Sequence, residues 1–356
     1  MNILALVSED YGGAGEIAQY NLDLMKAWSL TESVNSVEVL PESIQIDARL
    51  SPAKIFQHEP PSSRQGYLHA ARHLLRNRRF DLIFCGHANL LPVAQYLADR
   101  SGVKIWLALH GIEAWELRLK PAHIASLRMV TAVSRYSRMR FLQNNRVGAG
   151  RVKVLPNTVN PMFTPGSKSV ELLQNHGLLE LDVLLTVART SSTEKYKGQD
   201  RVISLMPRLL ETNPNLAYVL VGEGDDQSRL AALANELQLH DRVKFVGNVE
   251  DTQLVQWYRS ADLFVMPGSG VGFSLVLLQA AACGCPLVGR NDDDSMDALR
   301  DGQSGVAVDP LDPDQLFAAI AGQLQSPISF VQEMPDCFRF DNFQKHVDRL
   351  MQSGWS

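Results

Sequence analysis

Residues 266–289 of this 356-residue chain read MPGSGVGFSLVLLQAAACGCPLVG. An apolar strand, Leu263–Met266, runs into a Pro-Gly-Ser-Gly turn. A helix opens near Phe273 and runs to about Cys283, and after Gly284 the run Pro286–Val288 starts another strand. Glycines at such a turn let a ligand approach the backbone. The free N–H groups of the helix's first turn, with its dipole, favour an anion. The stretch has the build of a diphosphate seat between two strands of an α/β sheet, and equally that of an ordinary strand–helix connection.

The same alternation recurs along the chain. Asn2–Val7 reads as a buried strand, followed by Tyr11-Gly12-Gly13-Ala14-Gly15-Glu16 and a helix to about Leu30. Gly13-x-Gly15-x-x-Ala18 fits the dinucleotide fingerprint, and Glu38, read at the end of the next strand, would be its acidic residue. That pattern sets up a rival reading, a nicotinamide dehydrogenase. Residues 41–62 are polar and Pro/Ser-rich and read as a loop. Arg64–Arg79 is a basic amphipathic helix, with Leu68, Ala71, Leu74 and Leu75 toward a core. His69 and His73 lie one turn apart on it without a third ligand nearby, so a solvated face is expected rather than a metal site. Strands follow at Phe80–Cys85, Lys104–Leu109, Met129–Ser134 and Val152–Leu155. His110 stands just past the end of one of them, where α/β proteins hold ligand groups. It would share a proton with a substrate hydroxyl, or bond to backbone as a loop histidine.

A Pro/Gly-marked boundary falls at residues 161–169. It divides the chain after residue 165. A second alternation then begins: strand Val183–Ala188 leads to Arg189, Lys195, Lys197 and Gly198, and strand Ala217–Val221 to Gly222-Glu223-Gly224-Asp225. Strand Val243–Val246, Gly247-Asn248 and the opening stretch come next, and Phe338–Met351 is a last helix pattern. Two such halves predict two Rossmann-like domains facing a cleft.

Charge separates the halves. Residues 1–165 carry 19 Lys+Arg and 13 Asp+Glu, and the remainder 15 and 26, within a net −5. The basic half is expected to meet something anionic through its two concentrations of surface cations, the helix Arg64–Arg79 and the cluster Arg135, Arg138, Arg140, Arg146 and Arg151. No apolar run reaches ~18 residues, as a membrane span requires. The N-terminus has no basic region before its apolar run and reads as a strand, not a signal peptide. The four cysteines, at 85, 283, 285 and 337, include no Cys-x-x-Cys and are expected to be reduced thiols of a cytoplasmic protein.

Taken in order, the motifs resemble those of the retaining glycosyltransferases of family 4, which have the GT-B fold. The carriers are Gly12-Gly13, His110-Gly111-x-Glu113, Val133-Ser134 and Pro156-Asn157-x-Val159, then Arg189 with Lys197-Gly198 and Gly222-Glu223-Gly224-Asp225. Phe245-x-Gly247, Gly272-Phe273-Ser274 and Ala282-x-Gly284-x-Pro286 complete the set. The resemblance runs nearly end to end. It implies an α/β GT-B architecture whose last helix, 338–353, returns to the N-terminal domain, so that residues 338–356 join 1–165 and the second domain is 166–337.

The resemblance also implies roles. Arg189 and Lys197 would contact the diphosphate of a nucleotide-sugar donor, expected to be UDP-linked, in place of a metal. Two fixed cations beside a departing diphosphate make an electrostatic catalyst; as plain surface residues they would be two solvated cations. His110 would sit by the donor hexose, and Gly12 and Gly13 would bring N–H groups to the phosphates. Val246, Asn248 and Val249 would face the base, with Asn157, Gly222, Glu223, Gly272, Phe273 and Ser274 completing the donor site. No cofactor and no metal are implied. The acceptor would be a glycan, a lipid-linked sugar or a small molecule, with the protein peripheral at an anionic inner membrane face and no nucleic acid involved.

One departure matters. The family has two glutamates where this chain has Val271 and Gln279. Gln279 still accepts a hydrogen bond from a ribose, but Val271 cannot pair with a sugar hydroxyl, a loss of about 1–3 kcal/mol in a closed site. Asp292-Asp293-Asp294 would supply the missing acceptors or form a solvated loop, the latter favoured over a metal site. The departure keeps a second reading open, a degenerate GT-B protein that binds nucleotide or a partner subunit without turnover.

Overall fold

The computed structural model describes residues 1–9, 16–43, 52–268, 274–327 and 336–353. The chain divides into two compact units, residues 1–158 with 335–356, and residues 159–334.

The first unit is built on β1 (Asn2–Glu9), α1 (Glu16–Leu30), β2 (Ser36–Ser43), β3 (Ile55–Gln57), α2 (Arg64–Asn77), β4 (Leu82–Cys85), α3 (Leu91–Ser101) and β5 (Lys104–Leu109). It continues through α4 (Ile112–Glu116), α5 (Pro121–Ser126), β6 (Leu127–Ala132), α6 (Arg135–Asn144) and β7 (Val152–Val154). Its seven strands are parallel in the order β3-β2-β1-β4-β5-β6-β7. β1, β4 and β5 at the centre of the sheet are largely apolar runs, as strands buried on both faces require. Trp28, Phe84 and Trp106 form an edge-to-face trio under one face, with centroids 5.0 to 5.6 Å apart, and Trp106 Nε1 donates to Thr131 Oγ1 at 2.9 Å. Each such aromatic pair adds ~0.5–1.5 kcal/mol beyond its buried area.

Residues 41–62, expected as loop, contain the end of β2 and all of β3. Ile55 is buried and β3 pairs with Val37–Val39. Three residues are too few to show a period, so tertiary pairing alone makes this edge strand.

The second unit begins with α7 (Val170–Asn175), β8 (Asp182–Val187), α8 (Gln199–Thr212), β9 (Leu216–Val221), α9 (Gln227–Glu236), β10 (Val243–Gly247) and α10 (Asp251–Ser260). It ends with β11 (Leu263–Val265), α11 (Leu275–Ala282), β12 (Leu287–Arg290), α12 (Ser295–Ala298), β13 (Val306–Val308) and α13 (Pro313–Gln325). The six-stranded parallel sheet runs β10-β9-β8-β11-β12-β13. In both sheets the strand order reverses beside the first strand, at β1/β4 and β8/β11. The carboxyl ends of these strand pairs are where an open α/β sheet accepts ligands.

The last helix, α14 (Phe340–Ser353), belongs to the first unit and packs on α1. Phe343, Val347, Leu350 and Met351 are buried along one stripe. The Phe343 ring meets Tyr20 edge-on at 5.8 Å, Lys26 Nζ lies 4.2 Å from the Phe340 centroid, and Thr31 Oγ1 donates to Asp348 Oδ1 at 2.6 Å. No helix among the described residues is long and apolar enough to cross a membrane.

Candidate active site

In the second unit β8 runs out at Val187 and continues as Ala188-Arg189-Thr190. The loop after β9 clamps this segment from the side. Ala188 N donates to Val221 O at 3.0 Å, Thr190 N to Glu223 O at 3.0 Å, and Asp226 N to Thr190 O at 2.8 Å. Ser192 gives its N–H and hydroxyl to the two carboxylate oxygens of Asp225 at 2.8 and 2.5 Å. Gly222 has φ +126°, and a Cβ there would stand 2.3 Å from the Ala188 carbonyl oxygen. The Gly222–Asp225 motif thus fixes the backbone that carries Arg189, and only glycine lets the two loops close.

The Arg189 and Lys197 side chains come together on Glu194. Arg189 Nη2 lies 2.7 Å from Oε1 and Lys197 Nζ 2.9 Å from Oε2. The Arg189 side chain is 75% exposed, those of Lys197 and Glu194 15% each. Gly198, at φ +73°, ends this turn against β11: a Cβ would meet the Pro267 carbonyl oxygen at 2.5 Å. Arg201 Nη1 donates to that same carbonyl at 2.8 Å. Lys197 therefore stands at the carboxyl ends of β8 and β11, the strands at the switch point. A fork of N–H donors and a point charge fixed there can stabilise charge developing on a leaving diphosphate.

The other expected donor residues distribute as follows. Gly222 N donates to Gly247 O at 2.8 Å, which sets the 246–249 turn beside the Gly222 loop. Val246 and Val249 are half-buried there, while Asn248 and Glu223 are exposed. Ser274 is the N-cap residue of α11 and is buried, yet its hydroxyl has no hydrogen-bond partner, and neither has the buried Thr190 hydroxyl. Gln279, on α11, accepts from the Tyr258 hydroxyl at 3.2 Å. Val271, Gly272 and Phe273 lie outside the described residues, as do Gly12 and Gly13.

Asp292-Asp293-Asp294 is not a solvated loop. Asp293 and Asp294 are 1% and 0% exposed. Asp292 is drawn to the end of β12 by Arg290, whose Nη2 donates to Oδ2 at 2.7 Å. Asp293 Oδ1 accepts from Ser295 N at 2.8 Å, while its Oδ2, like Nη1 of Arg290, is buried without a hydrogen-bond partner. Burial pushes the Asp293 carboxyl up to about 6 against the pull of the Ser295 bonds and Arg290. Among the described residues no group of three or more His, Cys, Asp or Glu side chains is arranged to hold a metal ion.

In the first unit His110 follows β5 and is buried. Its Nε2 lies 2.8 Å from the Gly86 carbonyl oxygen, at the end of β4. A carbonyl only accepts, so Nε2 carries the proton and Nδ1 of the neutral ring is the acceptor. The rings of Tyr20 (edge-on, 4.9 Å) and His87 (stacked, 6.3 Å) pack against it. Burial lowers its pKa; Glu113, which accepts from the His110 backbone N–H, pulls the other way and is outweighed. Asn157, past β7, is buried with its Oδ1 unpartnered, and the adjacent Thr158 hydroxyl donates to Asp23 of α1 at 2.5 Å.

Two expectations in this unit are corrected. Glu38 is the third residue of β2, not at its end, and is fully buried between His58, at 2.6 Å, and Arg78. It is committed to the sheet edge and unavailable to a cofactor ribose, which removes the anchor of the dehydrogenase reading. The cation cluster Arg135, Arg138, Arg140, Arg146 and Arg151 is partly structural. Arg138 donates to the carbonyls of Val152 and Ala149 at 2.8 and 3.1 Å, and Arg151 to those of Ile124, at 2.8 Å, and Leu127. By contrast α2 exposes Arg64 and Arg76, and Arg79 is exposed just past its C-cap, with Arg72 half-buried 5.6 Å from the Tyr96 centroid.

Sequence reasoning passed over Glu194, Arg201 and Arg290. Glu194 was the one with a signal, an acid spaced five residues after Arg189 and three before Lys197 in a helical turn.

Residues 38–163 match the family described as Glycosyltransferase Family 4, and residues 176–336 the family described as Glycosyl transferases group 1. The chain is 28% identical over 271 residues to the GDP-mannose-dependent alpha-(1-6)-phosphatidylinositol monomannoside mannosyltransferase of Mycolicibacterium smegmatis, covering 72% of this chain and 70% of that protein. It is 25% identical over 330 residues to the GDP-mannose-dependent monoacylated alpha-(1-6)-phosphatidylinositol monomannoside mannosyltransferase of Corynebacterium glutamicum, covering 88% and 84%. Among solved structures, Anabaena HepE in complex with UDP is similar at a TM-score of 0.75 and 20% identity, covering 99% of this chain and 100% of that one. Sucrose-phosphate synthase from Thermosynechococcus elongatus is similar at 0.76 and 17%, covering 99% of each. The chain belongs to glycosyltransferase family 4 and is a hexosyltransferase-like enzyme of GT-B fold.

Proposed function

We propose that this enzyme is a retaining, metal-independent hexosyltransferase that moves a hexose from a nucleoside diphosphate to a lipid-linked acceptor at an anionic membrane surface. The observation that carries the reading is the meeting of Arg189 and Lys197 on one carboxylate at the carboxyl ends of β8 and β11. Two cations there answer the charge of a departing diphosphate without a metal. Retention of configuration is taken from the family.

UDP is the nucleotide expected from the family resemblance. The two mannosyltransferase relatives are GDP-mannose-dependent by name, which favours GDP-mannose as a second reading. Val271, in place of the family's first glutamate, argues in the same direction, because a pocket without that carboxylate suits a donor other than the common gluco-configured ones. The names of the same relatives, with the exposed arginines of α2, support a phosphoinositide-type lipid acceptor over a soluble one. Arginine forks suit phosphate oxygens, and a basic amphipathic helix suits an anionic bilayer.

The test is a panel of UDP- and GDP-hexoses, screened for binding and slow hydrolysis with and without EDTA. One donor should bind and turn over at a rate EDTA leaves unchanged, with the anomer retained. Loss of turnover in EDTA, restored by magnesium or manganese, would overturn metal independence. Binding without transfer or hydrolysis of any donor would leave the non-catalytic GT-B reading in its place.

A further inference from the structure

Glu194 lies between Arg189 and Lys197 both in sequence and in space, with one carboxylate oxygen on each, at 2.7 and 2.9 Å. It does not hold the loop together. The turn is closed by backbone bonds, Lys197 N to Glu194 O at 2.9 Å and Gly198 N to Lys195 O at 3.0 Å. The Arg189 segment is held by the Gly222 loop and by Gln199 Nε2, which donates to Arg189 O at 3.0 Å. The carboxylate, whose Oε1 also accepts from the Tyr196 hydroxyl at 3.5 Å, therefore acts on side chains rather than on the backbone of the turn.

A carboxylate offers two charged oxygens in a fork, as a phosphoryl face does. We propose that Glu194 is an internal counter-ion, which positions Arg189 and Lys197 in the empty site, yields them to the donor diphosphate, and takes them back as the nucleoside diphosphate leaves. The inference rests on the assignment of these two cations to the diphosphate. It goes beyond that assignment by naming a residue that opposes product binding. The departing nucleoside diphosphate carries more negative charge than the donor did, so two bare cations would hold product more tightly than substrate. A fixed carboxylate competing for the same N–H donors counters that bias, and it keeps two long side chains aligned between turnovers.

Glu194→Gln removes the charge and one of the two acceptors while preserving shape. Two partly exposed ion pairs of ordinary strength correspond to a change of about three- to tenfold in an equilibrium constant. In calorimetric titrations with UDP and with GDP, the nucleotide that wild type binds should bind the Gln variant about three- to tenfold more tightly. Donor KM should fall with it and kcat should drop as release slows. Glu194→Asp, which keeps the charge, should return the dissociation constant toward wild type. Unchanged or weaker nucleotide binding in the Gln variant overturns the counter-ion. Arg189→Ala and Lys197→Ala, titrated in parallel, separate the two ideas. If both weaken nucleotide binding while Glu194→Gln leaves it unchanged, the diphosphate assignment stands and the counter-ion falls. If neither weakens it, both fall.

Discussion

His110 donates its Nε2 proton to the carbonyl oxygen of Gly86 at 2.8 Å, which ties the end of β5 to the end of β4 through one imidazole. That bond fixes the tautomer, and burial opposes a second proton. The unfolded chain binds a proton at an ordinary histidine pKa of ~6.5, whereas the folded ring takes it up only at lower pH. Its contribution to stability is therefore present above that value and is lost as pH falls below it. Nitrogen-15 spectra should show the Nε2–H form at pH 7 and an inflection below that of a free histidine. His110→Gln should flatten the acid side of the stability profile and lower transfer about tenfold or more. An ordinary inflection near 6.5 would refute the burial argument.

Arg189→Ala and Lys197→Ala should each lower transfer by ~10²-fold while melting temperatures stay near wild type. The Arg189 side chain is mostly exposed and Lys197 sits on a turn closed by backbone bonds, so neither holds the core. Steady-state rates beside thermal melts check this, and near-wild-type turnover in both variants would sink the assignment.

Asp293 yields a pH dependence of the opposite sign. Its carboxyl is raised from 3.8 to about 6, so between these values the native state holds a proton that the unfolded state has released. Stability therefore falls as pH rises through that window, by about 1–3 kcal/mol in all. Asp293→Asn keeps an oxygen for the Ser295 N–H and removes the buried charge. Denaturant melts at pH 4, 5, 6 and 7 should show the variant gaining on wild type as pH rises. A constant difference across the series would exclude Asp293 as the source.

The exposed arginines on α2 and just past its end predict weak, salt-sensitive attachment to anionic vesicles, screened over ~8–10 Å at physiological salt. Arg64, Arg76 and Arg79 are the informative positions, because Arg72 packs by Tyr96 and Arg78 pairs with Glu38. Co-sedimentation with phosphatidylserine- or phosphatidylinositol-containing vesicles should be lost at high salt and in the triple Glu variant. Absence of binding at low salt would point to an acceptor met in solution.

Long apolar runs such as Leu82–Cys85 and Leu216–Val221 were readable in sequence because a parallel strand covered on both faces needs no alternation. The stripe of α14 was readable because four buried positions recur at helical spacing. Features decided by a distant partner were not. Edge strand β3 exists only as a partner to β2. Glu38 looked like a ligand for a ribose until His58 and Arg78 closed on it. Arg138 and Arg151 counted as surface charge, although carbonyls left at the ends of neighbouring elements had claimed them. At the site, Arg189 and Lys197 were picked out by motif order, whereas Glu194, despite its spacing between them, was passed over, since an acid near two bases is common on any solvated loop. Asp293 read as hydrated because three consecutive aspartates suggest water, and the sequence does not reveal that the helix after β12 folds over two of them.

The pairing of α14 with α1 makes the first unit a discontinuous one, opened at residue 158 and closed only by residues 335–356. During synthesis, the α1 surface that receives Phe343 and Asp348 waits uncovered while some 176 intervening residues are made. The half that leaves the ribosome first is thus finished last. Its maturation waits on residues 335–356, and a stop anywhere in the intervening stretch would leave this first-made domain without its closing helix.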